Sequence, residues 1–436
     1  MRELFSEIVG VPYVLDGDGL SVDGMHPTVV LEPGSVEEVA KIMQVATANQ
    51  WAITPVGAGG SLGVGNPPSR VDVILSLKRL SKIMSHEPGD LTTVVEAGCT
   101  LGDLNKHLND SRQCLPLDPP GGGAATIGGI AALGVAGAMR QGYGAPRDWV
   151  LGLKIVSADG RILEIGGRVV KNVAGYDLSK LHVGGLGTLG VIVSVNLKVF
   201  PRPETELTVA INGPERGALL GCAGELVKKA LNPTSLELMS ITALNRCGLE
   251  LHGRQSYLLA RYAGTETDVR SQAIETEKIA LAADLDVDTQ VGREFVVKFW
   301  HARAKLMTSP DFPLILHARV KPTDLESVIS CFVNSLGQFC DEAVIAASAG
   351  IGTAILTAEG WRVSANIDAV VKGIESVRQE CASCGGSLVV WSAPFEIKGL
   401  MDVWGDIGAA AGLMKQLKSS YDSQNLLNPG RFAGGI

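Results

Sequence analysis

The sequence has few aromatic residues, no excess of basic residues and no long apolar run. Of its 436 residues, 38 are Lys or Arg and 46 are Asp or Glu, which gives a net charge of −8. A general nucleic-acid binder needs a basic surface for phosphates, so this charge balance argues against that class. With aromatic residues at 5 %, the chain also has little with which to anchor itself at a membrane interface.

Signals for export or membrane insertion are equally scarce. Met1–Gly10 holds one Arg and two Glu and no apolar run of signal length. The longest stretch of low charge, Gly121–Met139, is interrupted by glycines and would make a poor membrane helix. These features predict a cytoplasmic protein.

Cysteine and histidine are too dispersed for a disulfide framework or a metal centre. The eight cysteines are scattered, which indicates reduced thiols. Only Cys381 and Cys384 form a Cys-x-x-Cys pair, and one pair is too small for a four-ligand zinc or iron–sulfur site. We interpret it as two thiols at a helix end, with a metal or redox role as the alternative. The seven histidines never occur at ligand spacing beside a carboxylate, so we predict no metal site.

The order of apolar runs predicts an α+β protein of two or three domains. The chain is longer than one ordinary domain. Ser35 opens a capping box and a helix that runs to about Asn49, and Ala158-Asp-Gly160 forms the turn of a hairpin. After Pro203, strand-like and helical runs alternate. That pattern is typical of an α+β domain with helices on one face of a mostly antiparallel sheet.

Glycine is the residue in excess, at 53 of 436 residues, about 12 % against a typical ~7 %. The first cluster, Pro55–Ser61, follows a β-prone run. The sixth position from Gly57 is Leu62, so the cluster is not a Rossmann fingerprint, and no Lys-Ser/Thr follows as in a P-loop. What remains is bare backbone whose amides could converge on a diphosphate, with a plain tight turn as the alternative.

Two further glycine clusters follow in a recognisable order. They are, in order, Asp118–Gly123 with Thr126–Gly129, Gly137, Gly142–Gly144 and Arg147-Asp148, then Lys171–Leu178 with Gly184–Gly190. In this spacing they resemble the flavin domain of the FAD-linked oxidases of the vanillyl-alcohol oxidase and p-cresol methylhydroxylase class. With Trp391-Ser-Ala-Pro394 and the closing Leu427-Asn-Pro-Gly-Arg431, the chain is most similar to the FAD-binding E subunits of glycolate oxidases within that class.

The resemblance implies a domain plan. A bipartite FAD-binding domain would occupy residues 1–203, with two α/β subdomains that divide near residues 85–90. An α+β (ferredoxin-like) cap domain would occupy residues 204–395, and residues 396–436 would return to the FAD domain. Members with covalently attached FAD carry His or Cys near the first cluster, where this chain has Gly59-Gly60-Ser61, so noncovalent FAD is implied.

The resemblance also implies a set of cofactor-binding residues. The diphosphate would lie on the backbone amides of Gly57–Ser61 and of Thr126–Gly129, with the hydroxyls of Ser61 and Thr126 as further donors. The predicted set is Pro55, Gly57, Ala58, Gly59, Gly60, Ser61, Pro119, Thr126, Ile127, Gly128, Gly129, Gly137, Asp148, Gly187, Gly190, Ile192 and Asn428.

Candidate catalytic groups are fewer. Oxidation of a 2-hydroxy acid needs a cation for the carboxylate, a base for the hydroxyl and a hydride acceptor. His317, Arg319 and Lys321 alternate along one predicted strand and would therefore face the same way, with a solvated strand edge as the alternative. Lys171 and Asn172, on the loop that resembles the family's flavin loop, form the second candidate set.

The function implied by the resemblance is that of the FAD-binding subunit of a glycolate (2-hydroxy-acid) oxidase complex. Its partners would be a catalytic D-type flavoprotein and an iron–sulfur subunit, and any membrane association would come through them. The D-type relative carries a His-x-Gly-Asp-Gly-Asn metal motif that this sequence lacks. Two alternatives remain: a stand-alone FAD-dependent dehydrogenase of D-lactate or another 2-hydroxy acid, and a structural subunit with non-catalytic FAD.

Overall fold

The computed structural model describes residues 1–167, 176–251, 255–291, 293–362 and 366–436. The chain forms two compact units. The first contains Met1–Ala136, Ala145–Arg202 and Asp406–Ile436, and the second contains Gly137–Gly144 and Pro203–Gly405. Relative to the predicted domains, residues 137–144 and 396–405 lie in the second unit.

The elements are numbered along the chain. The strands are β1 (Val14–Asp16), β2 (Val29–Leu31), β3 (Ile53–Val56), β4 (Val73–Ser76), β5 (Ile83–Glu87), β6 (Thr92–Glu96), β7 (Gln113–Cys114), β8 (Val150–Val156), β9 (Ile162–Gly166), β10 (Val191–Lys198), β11 (Phe200–Pro201), β12 (Thr205–Asn212), β13 (Ser235–Ser240), β14 (Ser256–Gly264), β15 (Asp286–Val291), β16 (Ile315–Arg319), β17 (Glu342–Ser348), β18 (Thr353–Glu359) and β19 (Ser387–Ser392). The helices are α1 (Arg2–Val9), α2 (Val36–Ala48), α3 (Leu101–Leu108), α4 (Ile127–Leu133), α5 (Arg140–Tyr143), α6 (Pro146–Trp149), α7 (Ser179–His182), α8 (Arg216–Lys228), α9 (Ile241–Arg246), α10 (Glu266–Ala282), α11 (Arg293–Ala304), α12 (Leu325–Leu336), α13 (Ile367–Ser383), α14 (Phe395–Lys398) and α15 (Ala410–Tyr421).

The first unit is built on two main sheets. The described strands form one sheet in the order β1-β2-β4-β3 and a second in the order β5-β6-β10-β8-β9, beside the short pair β11-β7. In the first sheet β2, β3 and β4 run parallel, so the ends of β3 and β4 lie at one edge. The second sheet is antiparallel throughout the described pairings. The first glycine loop, Gly57–Ser61, directly follows the end of β3.

The helix start predicted at Ser35 is present, with one difference in its cap. The Ser35 hydroxyl accepts a hydrogen bond from the Glu38 N–H at 3.1 Å, as the capping box requires. The reciprocal bond to the Glu38 carboxylate comes from the N–H of Gly34, at 2.7 Å, rather than from that of Ser35. The predicted hairpin turn is also present, because Gly160 takes a φ of +82° between β8 and β9.

The second unit contains one large antiparallel sheet. Its order is β15-β12-β14-β13-β17-β18-β16-β19, and the described pairings are antiparallel. Alternate residues of the strands, such as Leu236, Leu316 and Leu356, join one apolar core with buried residues of α8, α10, α12 and α13. The residues between them point to the opposite face of the sheet. The predicted α+β class is confirmed.

No helix in the described parts of the chain is long and apolar enough to cross a membrane.

Candidate functional site

The loop after β3 presents a row of open backbone donors. The N–H groups of the five residues Gly57–Ser61 make no hydrogen bond to any described residue. The loop turns twice, because Leu62 N–H donates to Gly59 O at 3.2 Å and Val64 N–H donates to Ser61 O at 3.1 Å. Gly59 has a φ of +81°, which glycine adopts without strain. Successive amides in such turns form a concave site for anions.

Two cavities meet at this loop. Together with the open solvent at their mouths they enclose about 380 and about 390 Å³, and both are lined by Gly57, Thr126 and Gly129. The loops approach so closely that a Cβ on Gly57 would lie 2.0 Å from Thr126 Oγ1. Ten of the predicted cofactor residues line these cavities: Pro55, Gly57, Ala58, Ser61, Pro119, Thr126, Gly128, Gly129, Gly187 and Ile192.

The second predicted set of amide donors is largely engaged within the protein. Ile127 N–H donates to Cys99 O and Gly128 N–H donates to Ala97 O, both at 2.8 Å. A Cβ on Gly128 would lie 2.6 Å from Ala97 Cβ, so this glycine is needed for the packing of α4. The open amides therefore belong to Gly57–Ser61, and Thr126 contributes its hydroxyl at the cavity wall.

The other predicted cofactor residues lie outside the cavity walls. Asn428 donates from Nδ2 to Leu186 O at 2.6 Å and so supports the turn that contains Gly187. A Cβ on Gly190 would lie 3.1 Å from Ile155 Cδ1. The Asp148 carboxylate accepts from Ala145 N–H at the start of α6. Gly137 belongs to the second unit.

In the second unit, only two of the three residues predicted to alternate along one strand lie on that strand, His317 and Arg319. Strand β16 ends at Arg319, and Lys321 lies beyond it, directly before Pro322. Proline restricts the backbone conformation of the residue before it and has no N–H to donate to a β-ladder. The strand therefore ends before Pro322. Among the described strands β16 is interior, because it pairs with both β18 and β19. The alternative interpretation of a solvated strand edge is therefore wrong.

His317 is a buried imidazole without a hydrogen bond. It is 6 % exposed, and neither ring nitrogen has a partner among the described residues. Trp391 packs edge-on against the ring, with centroids 6.0 Å apart. Burial lowers the pKa of His317 to about 3, with the positive charges of Arg319, Arg303 and Arg140 acting in the same direction. At neutral pH the ring is a neutral donor and acceptor.

Arg319 on β16 and Arg303 on α11, two of the cations that lower the pKa of His317, differ in whether they form an ion pair. Arg319 is exposed, and no described Asp or Glu forms an ion pair with it. Arg303 is buried and donates from Nε and Nη2 to Glu237 Oε2, at 2.9 and 2.5 Å. Ser348 Oγ donates to the other oxygen of Glu237, whose side chain is fully buried. Nothing in the spacing of these three residues pointed to this network.

The structure does not describe the second set of catalytic candidates. Lys171 and Asn172 lie outside the described residues. In the described parts of the chain no group of three or more His, Cys, Asp or Glu side chains is placed to hold a metal ion. Burial raises the pKa of the Cys381 thiol to about 12, with Cys384 acting in the same direction.

Comparison with known proteins identifies a domain that includes the Gly57–Ser61 loop. Residues 27–166 match the family described as the FAD binding domain. The chain carries an FAD-binding domain. It is 26 % identical to "Glycolate oxidase subunit GlcD" of Bacillus subtilis (strain 168) over 93 % of this chain and 88 % of that protein. It is 27 % identical to "D-lactate dehydrogenase" of Archaeoglobus fulgidus over 92 % and 90 % of the two chains.

The fold also matches solved structures. The structure of p-cresol methylhydroxylase with substrate bound superposes with a TM-score of 0.79 at 15 % identity, over 99 % of this chain and 95 % of that one. The resemblance to FAD-linked oxidases and the fold are thus confirmed. The chain is an FAD-dependent oxidoreductase.

The residues present fit FAD. Open amides at Gly57–Ser61 suit a diphosphate, and the apolar walls of both cavities suit the ring systems of a dinucleotide. When bound, FAD supplies a hydride acceptor.

We expect the flavin to be held without a covalent bond. None of the described residues that line the two cavities is His or Cys, the side chains that carry covalent FAD in some members of the class that the sequence resembles. Acid precipitation of the purified holoprotein should therefore leave the flavin in the supernatant, measured by its absorbance. Flavin that remained with the precipitated chain after washing in denaturant would contradict this expectation.

Proposed function

We propose that the chain is the FAD-binding subunit of a glycolate (2-hydroxy-acid) oxidase complex, in which reducing equivalents pass through its FAD. The observation that carries the proposal is the pairing of His317 with Arg319 on one face of β16. A neutral imidazole and a cation that has no acidic partner among the described residues are the two groups that a 2-hydroxy acid requires. The likeness to a glycolate oxidase subunit and to D-lactate dehydrogenases supports this substrate class.

Each residue has a defined role in this proposal. Arg319 binds the substrate carboxylate through charge-assisted hydrogen bonds. His317 would accept the hydroxyl proton, and the C2 hydrogen would leave as a hydride to the acceptor that bound FAD supplies. The products would then be a 2-oxo acid, a protonated imidazole and the reduced acceptor. Because Glu237 forms an ion pair with Arg303, Arg303 repels the protonated His317 less strongly.

The partners of the proposed complex are a catalytic D-type flavoprotein and an iron–sulfur subunit. The chain's net charge of −8 and its few aromatic residues suggest that contact with a membrane acceptor is made by other proteins. The second candidate function is a stand-alone dehydrogenase of D-lactate. The 27 % identity to a D-lactate dehydrogenase across nearly the whole of both chains favours it.

Anaerobic titration separates these functions. We expect the purified holoprotein to show steady turnover of glycolate only when both partner subunits are present, measured with an artificial electron acceptor. The matched controls replace glycolate by acetate and D-lactate by propionate, which keep the carboxylate and carbon chain and lack the hydroxyl group. Turnover of glycolate or D-lactate by the chain alone at ~10 s⁻¹, a typical enzyme rate, would establish the stand-alone dehydrogenase instead.

A further inference from the structure

The last residues of the chain are built into the first unit beside the flavin loop. Ile53 N–H donates to Leu426 O at 2.7 Å, and Asn428 N–H donates to Ile53 O at 3.0 Å, so this segment runs alongside β3. Asn66 N–H then donates to Arg431 O at 3.0 Å. The segment thus lies against both ends of the loop that contains Gly57–Ser61.

The side chain of Arg431 binds two backbone carbonyl groups of this loop. The side chain is buried, at 4 % exposed, and Nη2 donates to Leu62 O and, at 2.7 Å, to Val64 O. Nη1 donates to Asn428 Oδ1 at 3.3 Å. The guanidinium therefore holds two carbonyls of one short loop and is itself held by a neighbouring amide.

The two carbonyls belong to the residues that close the turns of the loop. Leu62 N–H binds Gly59 O, and Val64 N–H binds Ser61 O, while the carbonyls of Leu62 and Val64 bind Arg431. Hydrogen bonds arranged in such a series polarise one another. Arg431 thus fixes the orientation of the turns whose open N–H groups form the anion site.

Among the described residues, none that lines either cavity is charged, although a diphosphate is an anion, whereas Arg431 carries a positive charge beside the loop. Burial lowers the pKa of Arg431 to about 10, and Asp23 acts in the opposite direction, so the guanidinium is still charged at neutral pH. A buried cation behind a row of amides is screened little by solvent.

We propose that Arg431 is a positioning residue for the diphosphate of the cofactor: it orients the amides of Gly57–Ser61 and supplies a positive charge that the described residues of the cavity walls lack. Its role is specific to the anionic part of the ligand. A purely structural role would affect neutral and anionic ligands alike, and this difference is the basis of a test.

The test compares three ligands on the flavin-free full chain by calorimetry: FAD, ADP and riboflavin. ADP carries the diphosphate without the flavin, and riboflavin carries the flavin without the diphosphate. Arg431→Met should weaken binding of FAD and ADP about 10- to 100-fold, the range expected for loss of hydrogen bonds to a charged group. Binding of riboflavin should not change. The matched control is Lys415→Met, which removes an exposed cation from α15 and should leave all three affinities unchanged.

Arg431→Lys keeps the positive charge but loses the planar guanidinium that binds two carbonyls. This variant replaces Arg431→Met in the test if the Met variant fails to fold. We expect its ADP affinity to fall between those of wild type and Arg431→Met, again with riboflavin unchanged. Equal losses for ADP and riboflavin in either variant, or no loss for ADP, would overturn the proposal.

Discussion

We expect Gly59→Val to purify without flavin, whereas Gly63→Val retains it. An added Cβ at Gly59 meets no atom closer than Leu62 Cδ1 at 3.9 Å, so space is not the obstacle. The obstacle is the backbone, because a β-branched residue is strongly disfavoured at a φ of +81°. Strain of about 1–3 kcal/mol would be relieved by rotating the peptide groups that flank residue 59, and the open amides would no longer converge.

Gly63 is a matched control in the same loop. It has no atom within 4 Å of an added Cβ and does not require a positive φ. The measurement is flavin absorbance per chain after gel filtration, with thermal unfolding of each apoprotein as a check of the fold. If Gly59→Val kept a full complement of flavin, the Gly57–Ser61 loop would not be the diphosphate site.

The same experiment at Gly128 would have a different meaning. From the sequence alone, Val at either Gly59 or Gly128 is expected to block the approach of the cofactor. In the structure Gly128 packs on Ala97, and its N–H already binds Ala97 O. Loss of flavin in Gly128→Val would therefore reflect displacement of α4.

The contrast shows which parts of the site the sequence could predict. Glycine clusters mark places where backbone must come close to something, and Gly57 and Gly128 both meet that description. The sequence does not reveal whether the close partner is a ligand or another segment. Only the tertiary structure shows that the close partner is another segment in both cases, Thr126 for Gly57 and Ala97 for Gly128.

Local sequence patterns predicted the secondary structure, but they did not predict the buried polar networks. The cap at Ser35, the hairpin at Gly160 and the antiparallel sheet of the second unit follow from short-range turn chemistry and alternation. The buried pair of Arg303 with Glu237 joins residues 66 positions apart, and no periodicity connects them. The contact of Arg431 with the flavin loop spans 367 positions. Its only sequence signal is the closing Asn-Pro-Gly-Arg motif.

The largest effect on turnover is expected at His317. His317→Gln keeps a side chain that can hydrogen-bond but cannot accept the hydroxyl proton, so kcat should fall by about 10²–10⁴, the usual contribution of a general base. Flavin content should be unchanged, because the open amides and both cavities belong to the first unit. Arg319→Met should instead act mainly on KM for the 2-hydroxy acid, with partial recovery in Arg319→Lys.

The pKa of His317 adds a second measurement to this prediction. Its pKa is lowered from the ordinary 6.5 to about 3, so the folded protein favours the neutral ring and the unfolded chain binds the proton more readily. Stability should therefore fall as the pH decreases from about 6.5 towards about 3, and His317→Gln should remove that part of the pH dependence. NMR titration of the imidazole should show a neutral ring at neutral pH. If the His317 ring titrated with an ordinary pKa, the lowering by burial would be contradicted. If His317→Gln turned over at the wild-type rate, His317 would not be the base and the proposed 2-hydroxy-acid site on β16 would fail.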